Sequence, residues 1–177
     1  MSEHLCMEAI TVQMVCDAAR KLLEKNQTQP ASQLQQSFVE ISKSFFVDEH
    51  FEPAFYRLAL SSIDAVFAFN AGQTLSKLNL SKHRSRLQFE IDSPPSPTAV
   101  LFLKRYDKPS ILTQLKNWSC RHKRISFAFA EFNSAKILSA AGINTPKIIS
   151  YGEQWGICFE KRSFIISGIR QVSVFAS

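Results

Sequence analysis

The chain has 177 residues, of which 45% are hydrophobic and 20% are charged. This composition excludes a chain that is disordered over its whole length. The length suits one domain with a sizeable core, or a small domain with an appended segment. No stretch approaches the roughly 20 consecutive apolar residues that span a bilayer, and the four cysteines include no CxxC pair. We therefore expect a cytoplasmic protein with reduced thiols and no bound metal.

The positive charge lies in the middle of the chain. The formal net charge is +6, yet residues 1–60 hold five Lys/Arg against eight Asp/Glu, whereas residues 77–124 hold eleven against three. A basic segment of this kind suits a nucleotide, a phosphorylated sugar, an anionic membrane surface or a nucleic acid, and charge alone does not choose among them.

Residues 1–61 predict a helical amino-terminal extension. Apolar residues recur at spacings of three and four over residues 4–25, and the polar stretch 26–36 indicates a linker. A second run with helical spacing consists of Phe38, Ile41 and Phe45. A short helix beginning at Pro53 then leads into the main domain.

Residues 62–177 predict an α+β domain. Three antiparallel strands are expected at residues 65–69, 86–91 and 99–106, the first ended by a turn at Gly72. A loop over residues 107–117 precedes a helix over residues 126–141, and two further strands are expected at residues 147–151 and 163–167. The prediction is a five-stranded antiparallel sheet with one main helix.

Two charged residues in this domain lie on faces that are otherwise mostly apolar. Lys104 shares a strand face with Val100 and Phe102, and Glu131 belongs to a helix stripe that includes Phe127 and Leu138. Because a buried unpaired charge costs several kcal/mol, a mutual ion pair is one solution, while exposure of both residues at the rims of their elements is the other.

The chain resembles the amino-terminal lobe of the lipopolysaccharide kinase (Kdo/WaaP) family over residues 62–167. The resemblance rests on three segments: VLFLKRY at residues 100–106, GINTP at residues 142–146 with Glu131 upstream, and KRSFII at residues 161–166. It implies a protein-kinase-like fold and transfer of the γ-phosphoryl group of ATP, with Mg²⁺, to a sugar of the lipopolysaccharide inner core. It also implies a location that is cytoplasmic and peripheral to the inner membrane.

The resemblance further implies a nucleotide site. Lys104 matches the lysine that holds the α- and β-phosphates, and Glu131 matches the helix glutamate that orients it. The first hairpin would cover the phosphates, although Gly72 is its single glycine between residues 63 and 91. Arg84 and Arg86, with Lys82, are candidates to supply cations there, and a solvated charged strand face is the alternative.

The same resemblance predicts that this chain lacks the catalytic lobe. Its last aspartate is Asp107, so residues 108–177 provide neither the catalytic aspartate nor the metal-binding aspartate of a kinase. We expect a truncated and inactive family member with no catalytic residues, and its status as an enzyme stays open. The alternatives are a non-catalytic module that binds a nucleotide or a protein, and a basic nucleic-acid-binding protein.

A second basic cluster precedes the main helix. Arg121, Lys123 and Arg124 lie where the helix dipole disfavours cations. An anionic substrate, an anionic membrane surface or simple solubility would each account for them. Nucleic acid is the less favoured partner, because Trp118 and Trp155 do not form the basic and aromatic alternation of a single-strand groove.

Overall fold

The computed structural model describes residues 36–75, 83–93 and 96–168. The predicted helix over residues 4–25, most of the linker that follows it and Lys82 lie outside the described residues. The described part is an α+β structure built on one sheet of seven strands, in which every neighbouring pair is antiparallel.

The elements follow one another along the chain as a strand pair, two short helices, three strands, two longer helices and two final strands. They are β1 (Phe38–Ser42), β2 (Phe45–Asp48), a 3₁₀ turn (Glu49–Phe51), α1 (Glu52–Arg57), α2 (Ile63–Ala68), β3 (Gln73–Thr74), β4 (Arg84–Ser93), β5 (Ser96–Asp107), α3 (Ile111–Arg121), α4 (Phe127–Ala140), β6 (Lys147–Trp155) and β7 (Glu160–Gly168). The strand order across the sheet is β1-β2-β6-β7-β5-β4-β3.

One face of the sheet carries the main hydrophobic core. Alternate residues of the central strands point to this face, as the sequence alternation predicts. Helices α1 and α2 cover them, and the fully buried rings of Phe45, Phe55 and Phe164 pack edge to face at the centre.

Helix α4 covers part of the opposite face. Its Ala128 packs on Ile148 of β6 and Ile165 of β7, and Phe132 stacks on Tyr151 at 4.3 Å between ring centroids. The helix leaves the side of the sheet formed by β3, β4 and β5 less covered. The two faces therefore differ in role: one is filled with apolar side chains, and the other retains space above polar ones.

The helical run predicted at Phe38, Ile41 and Phe45 is wrong. Phe38, Ile41 and Phe45 belong to the strands β1 and β2, which form a hairpin at the sheet edge. Apolar residues three and four apart fit a helix, but here a tight turn with Ser44 at φ 57° reverses the chain between them. Strand β2 pairs with β6, so residues 38–48 are part of the same sheet as the predicted main domain.

The strand expected at residues 65–69 is instead helix α2. The side chain of Ser62 caps it by accepting a hydrogen bond from the backbone N–H of Ala65 at 3.1 Å, and Ile63 and Val66, one turn apart, are buried. A short apolar run fits either a strand or a helix, and here the capping serine and the core contact decide for the helix.

The loop expected at residues 107–117 is mostly helix α3. Ser110 caps it through the backbone N–H of Thr113, and Gln114 is its one fully buried side chain. The helices predicted at Pro53 and at residues 126–141 are confirmed, as are four of the five predicted strands. The sheet has seven strands and not the predicted five, since it also contains β1, β2 and the short β3, which were not predicted, and lacks the strand expected at residues 65–69.

None of the four α-helices in the described part of the chain combines the length and the hydrophobicity needed to cross a membrane.

A substitution at Gly152 tests the packing of β2, β6 and β7. A Cβ atom at this position would lie 2.5 Å from Cε1 of Phe164, whose ring is fully buried. We expect Gly152→Ala to lower the free energy of unfolding by about 1 to 3 kcal/mol, because the core has no room for the methyl group. Urea denaturation measures the change.

Glu153→Ala is the matched control, since Glu153 follows on the same strand and is partly exposed. It should change the free energy of unfolding by less than about 0.5 kcal/mol. Equal stability of the Gly152→Ala variant and the unaltered chain would contradict the packing of these three strands.

Candidate functional site

The polar side chains of the less covered face come from two paired strands. Arg84 lies opposite Tyr106, and Arg86 lies opposite Lys104 in the register of β4 and β5. Because the side chains of a strand alternate between the two faces, these four lie together on the face that α4 covers. The four side chains are three cations and one phenol.

The start of helix α4 is attached to strand β7. The backbone N–H of Phe127 donates to the Glu160 carboxylate at 3.0 Å, and that of Ala128 donates to the Ser163 hydroxyl at 3.2 Å. Ser126 caps the next N–H, that of Phe129, at 3.0 Å. Side chains thus satisfy the first three helix N–H groups, which places the first turn of α4 directly over the sheet.

Glu131 lies one turn later and faces β5. Its Oε2 accepts a hydrogen bond from Nζ of Lys104 at 2.7 Å, its Oε1 accepts one from the Tyr106 hydroxyl, and a guanidinium nitrogen of Arg84 lies 3.7 Å from Oε1. The side chains of Glu131 and Lys104 are each about one third exposed. The predicted proximity of Lys104 and Glu131 is confirmed, and the pair lies at the border between protein and solvent.

The electrostatics of the cluster keep Glu131 ionised. Burial alone would raise its pKa, but hydrogen bonds from Lys104 and Tyr106 and the charges of Lys104 and Arg84 outweigh it, so the pKa of Glu131 lies below its ordinary value. Burial and the neighbouring Glu131 carboxylate raise the pKa of Tyr106, which remains a hydrogen-bond donor at neutral pH. The carboxylate therefore holds Lys104 as a fixed cation.

A cavity of about 520 Å³ adjoins this cluster. Lys104 and Arg86 line it from the sheet, and Leu75, Asn144, Thr145 and Pro146 are among the other lining residues. The Nε atom of Arg86 is buried without a hydrogen-bond partner in the structure. A buried donor without a partner is costly, and the same side chain lines the cavity, where its guanidinium offers a cation to a ligand with acceptor oxygens.

The predicted site residues separate into two groups. Lys104, Glu131, Arg84 and Arg86 come together on one face, and two of them line the cavity. Gly72 does not line the cavity and has a structural role: its φ is +154°, and a Cβ there would lie 2.4 Å from the carbonyl oxygen of Gln88.

Sequence reasoning missed three residues that build this site. Tyr106 is two positions after Lys104 on the same strand, and the period-2 alternation was sufficient to place it beside the pair. Glu160 and Ser163 attach α4 through contacts with residues more than thirty positions away, and no local pattern predicts such a contact.

The basic cluster before α4 also follows helix α3. Arg121 lies in the last turn of α3, where the helix dipole favours a cation. The unfavourable position inferred from α4 alone is thus offset by a favourable one at the end of the preceding helix.

The described residues contain no group of three or more His, Cys, Asp or Glu side chains that would hold a metal ion. The Mg²⁺ ion that the resemblance implies is held in kinases by aspartate and asparagine side chains of the catalytic lobe, and residues 108–177 contain no aspartate.

Comparison with protein-family models, with curated proteins and with solved structures finds no match to this chain. The resemblance to lipopolysaccharide kinases therefore rests on the three sequence segments that carry it.

The stability of the fold should depend on pH through Glu160. Burial raises the pKa of this carboxyl from 4.5 to about 7, despite hydrogen bonds from Ser163 and Phe127 that act to lower it. In the pH range between these two pKa values the folded state binds more protons than the unfolded state, so the free energy of unfolding falls as pH rises. We expect a loss of about 3 kcal/mol from Glu160 between about pH 5 and about pH 8.

The Glu160→Gln variant should lack this loss, since an amide retains an acceptor for the Phe127 N–H and does not titrate. Urea denaturation at the two pH values measures the difference between the variant and the unaltered chain. Glu90→Gln, an exposed site on β4, serves as the control. A pH dependence that is identical in the Glu160→Gln variant would refute the assignment.

Proposed function

We propose that this chain binds a nucleoside triphosphate, with the phosphates at Lys104 and Arg86, as the amino-terminal lobe of a lipopolysaccharide-type kinase. The observation that carries the proposal is the 2.7 Å ion pair between Lys104 and Glu131 at the edge of the cavity. A lysine held by a carboxylate is a positioned point charge suited to phosphate oxygens.

The order of elements around the pair supports the proposal. Lys104 lies on the third of the five strands β3 to β7, and Glu131 lies on α4, the helix that precedes the last two of them. In protein kinases, a lysine on the third strand pairs with a glutamate of the following main helix and contacts the α- and β-phosphates. The strands β1 and β2 are an addition to that five-stranded unit.

The phosphates would be bound mainly by side chains. Arg86 and Lys104 face each other across β4 and β5 and both line the cavity. The guanidinium of Arg86 carries donors for a charge-assisted hydrogen bond to a phosphate oxygen in the cavity. This arrangement replaces the glycine-rich backbone loop of protein kinases, which the single glycine of residues 63–91 does not provide.

The proposal for this chain stops at binding. Residues 108–177 contain no aspartate, so phosphoryl transfer to a sugar of the lipopolysaccharide core would need carboxylates from elsewhere. Both oxygens of Glu131 accept hydrogen bonds, from Lys104 and Tyr106, so this carboxylate serves to position Lys104. Transfer to that sugar remains the proposed activity of the complete kinase.

Calorimetric titration with ATP tests the proposal. We expect the Lys104→Met and Arg86→Gln variants each to raise the Kd for ATP by at least about tenfold, because each removes a charge-assisted hydrogen bond worth about 1.5 to 3 kcal/mol. Inorganic triphosphate should compete with ATP, and adenosine should bind much more weakly than ATP.

Lys136→Met is the matched control, since Lys136 is an exposed lysine on the same helix as Glu131, and it should leave the Kd unchanged. Thermal unfolding of each variant checks that the fold is retained. Binding of ATP that is equal in the Lys104→Met variant, or no binding by the unaltered chain, would contradict the proposal.

A further inference from the structure

Helix α3 and the turn between β6 and β7 form a surface that the proposed nucleotide site does not use. Four large apolar side chains are exposed on it: Leu112 at 79%, Ile157 at 99%, and Ile111 and Leu115 at about half. A single exposed apolar residue is ordinary, but four on two connected segments mark a contact surface.

The structure holds the turn in place. The backbone N–H of Gly156 donates to the carbonyl of Phe159 at 2.8 Å, which closes the turn. The guanidinium of Arg124 lies 4.8 Å from the ring centroid of Trp155 and donates to the carbonyl of Ile157 at 3.5 Å. Ile157 is thus presented to solvent by a structured turn.

Helix α3 is attached next to that turn with its apolar edge outward. Its buried Gln114 donates to the carbonyl of Glu160 at 3.1 Å and accepts from the N–H of the same residue at 2.8 Å. The Trp118 ring stacks on the Phe159 ring, with 5.6 Å between the ring centroids. The residues that face away from these contacts include Leu112 and Leu115.

The segment that carries Ile111, Leu112 and Leu115 is basic. The chain has no Asp or Glu between Asp107 and Glu131. All five Lys and Arg residues of that stretch are exposed, namely Lys108, Lys116, Arg121, Lys123 and Arg124. An apolar edge bordered by cations is complementary to a bilayer with anionic head groups, where apolar side chains enter the acyl boundary and cations remain at the phosphates.

We propose that this surface, defined by Ile111, Leu112, Leu115, Ile157 and the five exposed cations of residues 108–124, docks on an anionic lipid membrane. The inference is independent of nucleotide binding, because none of these residues lines the cavity. A nucleic-acid partner would match the cations but leave the aliphatic side chains without a role.

The two tryptophans of the chain, Trp118 and Trp155, both lie on this surface and report on docking directly. We expect vesicles of mixed phosphatidylglycerol and phosphatidylcholine to shift the tryptophan emission to shorter wavelength and to sediment with the protein. Brominated acyl chains should quench the emission. Pure phosphatidylcholine vesicles should bind at least about tenfold more weakly, and added salt should weaken binding to the anionic vesicles.

The variants separate the apolar and the electrostatic contributions. Leu112→Asp and Ile157→Asp should each lower vesicle binding by about tenfold or more, because a charge replaces an inserted aliphatic group. Arg121→Gln combined with Lys123→Gln should lower it by about twenty-five-fold, at roughly fivefold for each cation. Ile137→Asp is the matched control, since Ile137 is an exposed isoleucine on α4, and it should bind as the unaltered chain does.

Three results would overturn the proposal. They are no binding of the folded chain to anionic vesicles, equal loss in the Ile137→Asp and Leu112→Asp variants, and self-association that Leu112→Asp abolishes while vesicle binding stays absent. The Lys104→Met variant should retain vesicle binding, so failure of the nucleotide proposal and failure of this one are distinguishable.

Discussion

The candidate site depends on how helix α4 begins on strand β7. Hydrogen bonds from the backbone N–H groups of Phe127 and Ala128 to Glu160 and Ser163 set both the position and the rotation of the first turn. One residue of shift along an α-helix is a rotation of about 100°, so a slip at this attachment would turn Glu131 away from Lys104. The ion pair is therefore a consequence of the helix start.

This attachment uses a costly residue. Glu160 is 3% exposed, and its Oε1 has no hydrogen-bond partner in the structure. The partial positive charge at the helix start offsets part of the cost of burying the carboxylate. The backbone of the same residue bonds to the side chain of Gln114, so one position on β7 secures both α3 and α4. Burial of the Glu160 carboxyl lowers the stability of the fold at neutral pH, while the contacts of the same residue fix the positions of α3 and α4.

The two faces of the sheet have different roles, since one carries the hydrophobic core and the other carries the candidate site. The face under α1 and α2 carries most of the buried apolar side chains, with Phe45, Phe55 and Phe164 at its centre. The opposite face is only partly covered by α4, which leaves the cavity beside Lys104 and Arg86. A sheet with its core on one side tolerates polar and charged side chains on the other, and that is where the candidate site lies.

Local periodicity in the sequence determined the strands β4 and β5, the face on which Lys104 lies and the helix that carries Glu131. These features repeat every two or 3.6 residues, so a short window contains the information. Tertiary structure decided what short apolar runs become: residues 63–68 are a helix because Ser62 caps them and Ile63 and Val66 reach the core. It also decided that β2 pairs with β6, about a hundred residues away, and that Glu160 and Ser163 anchor α4. Such contacts join distant segments whose partners are selected by packing in three dimensions, which no local pattern records.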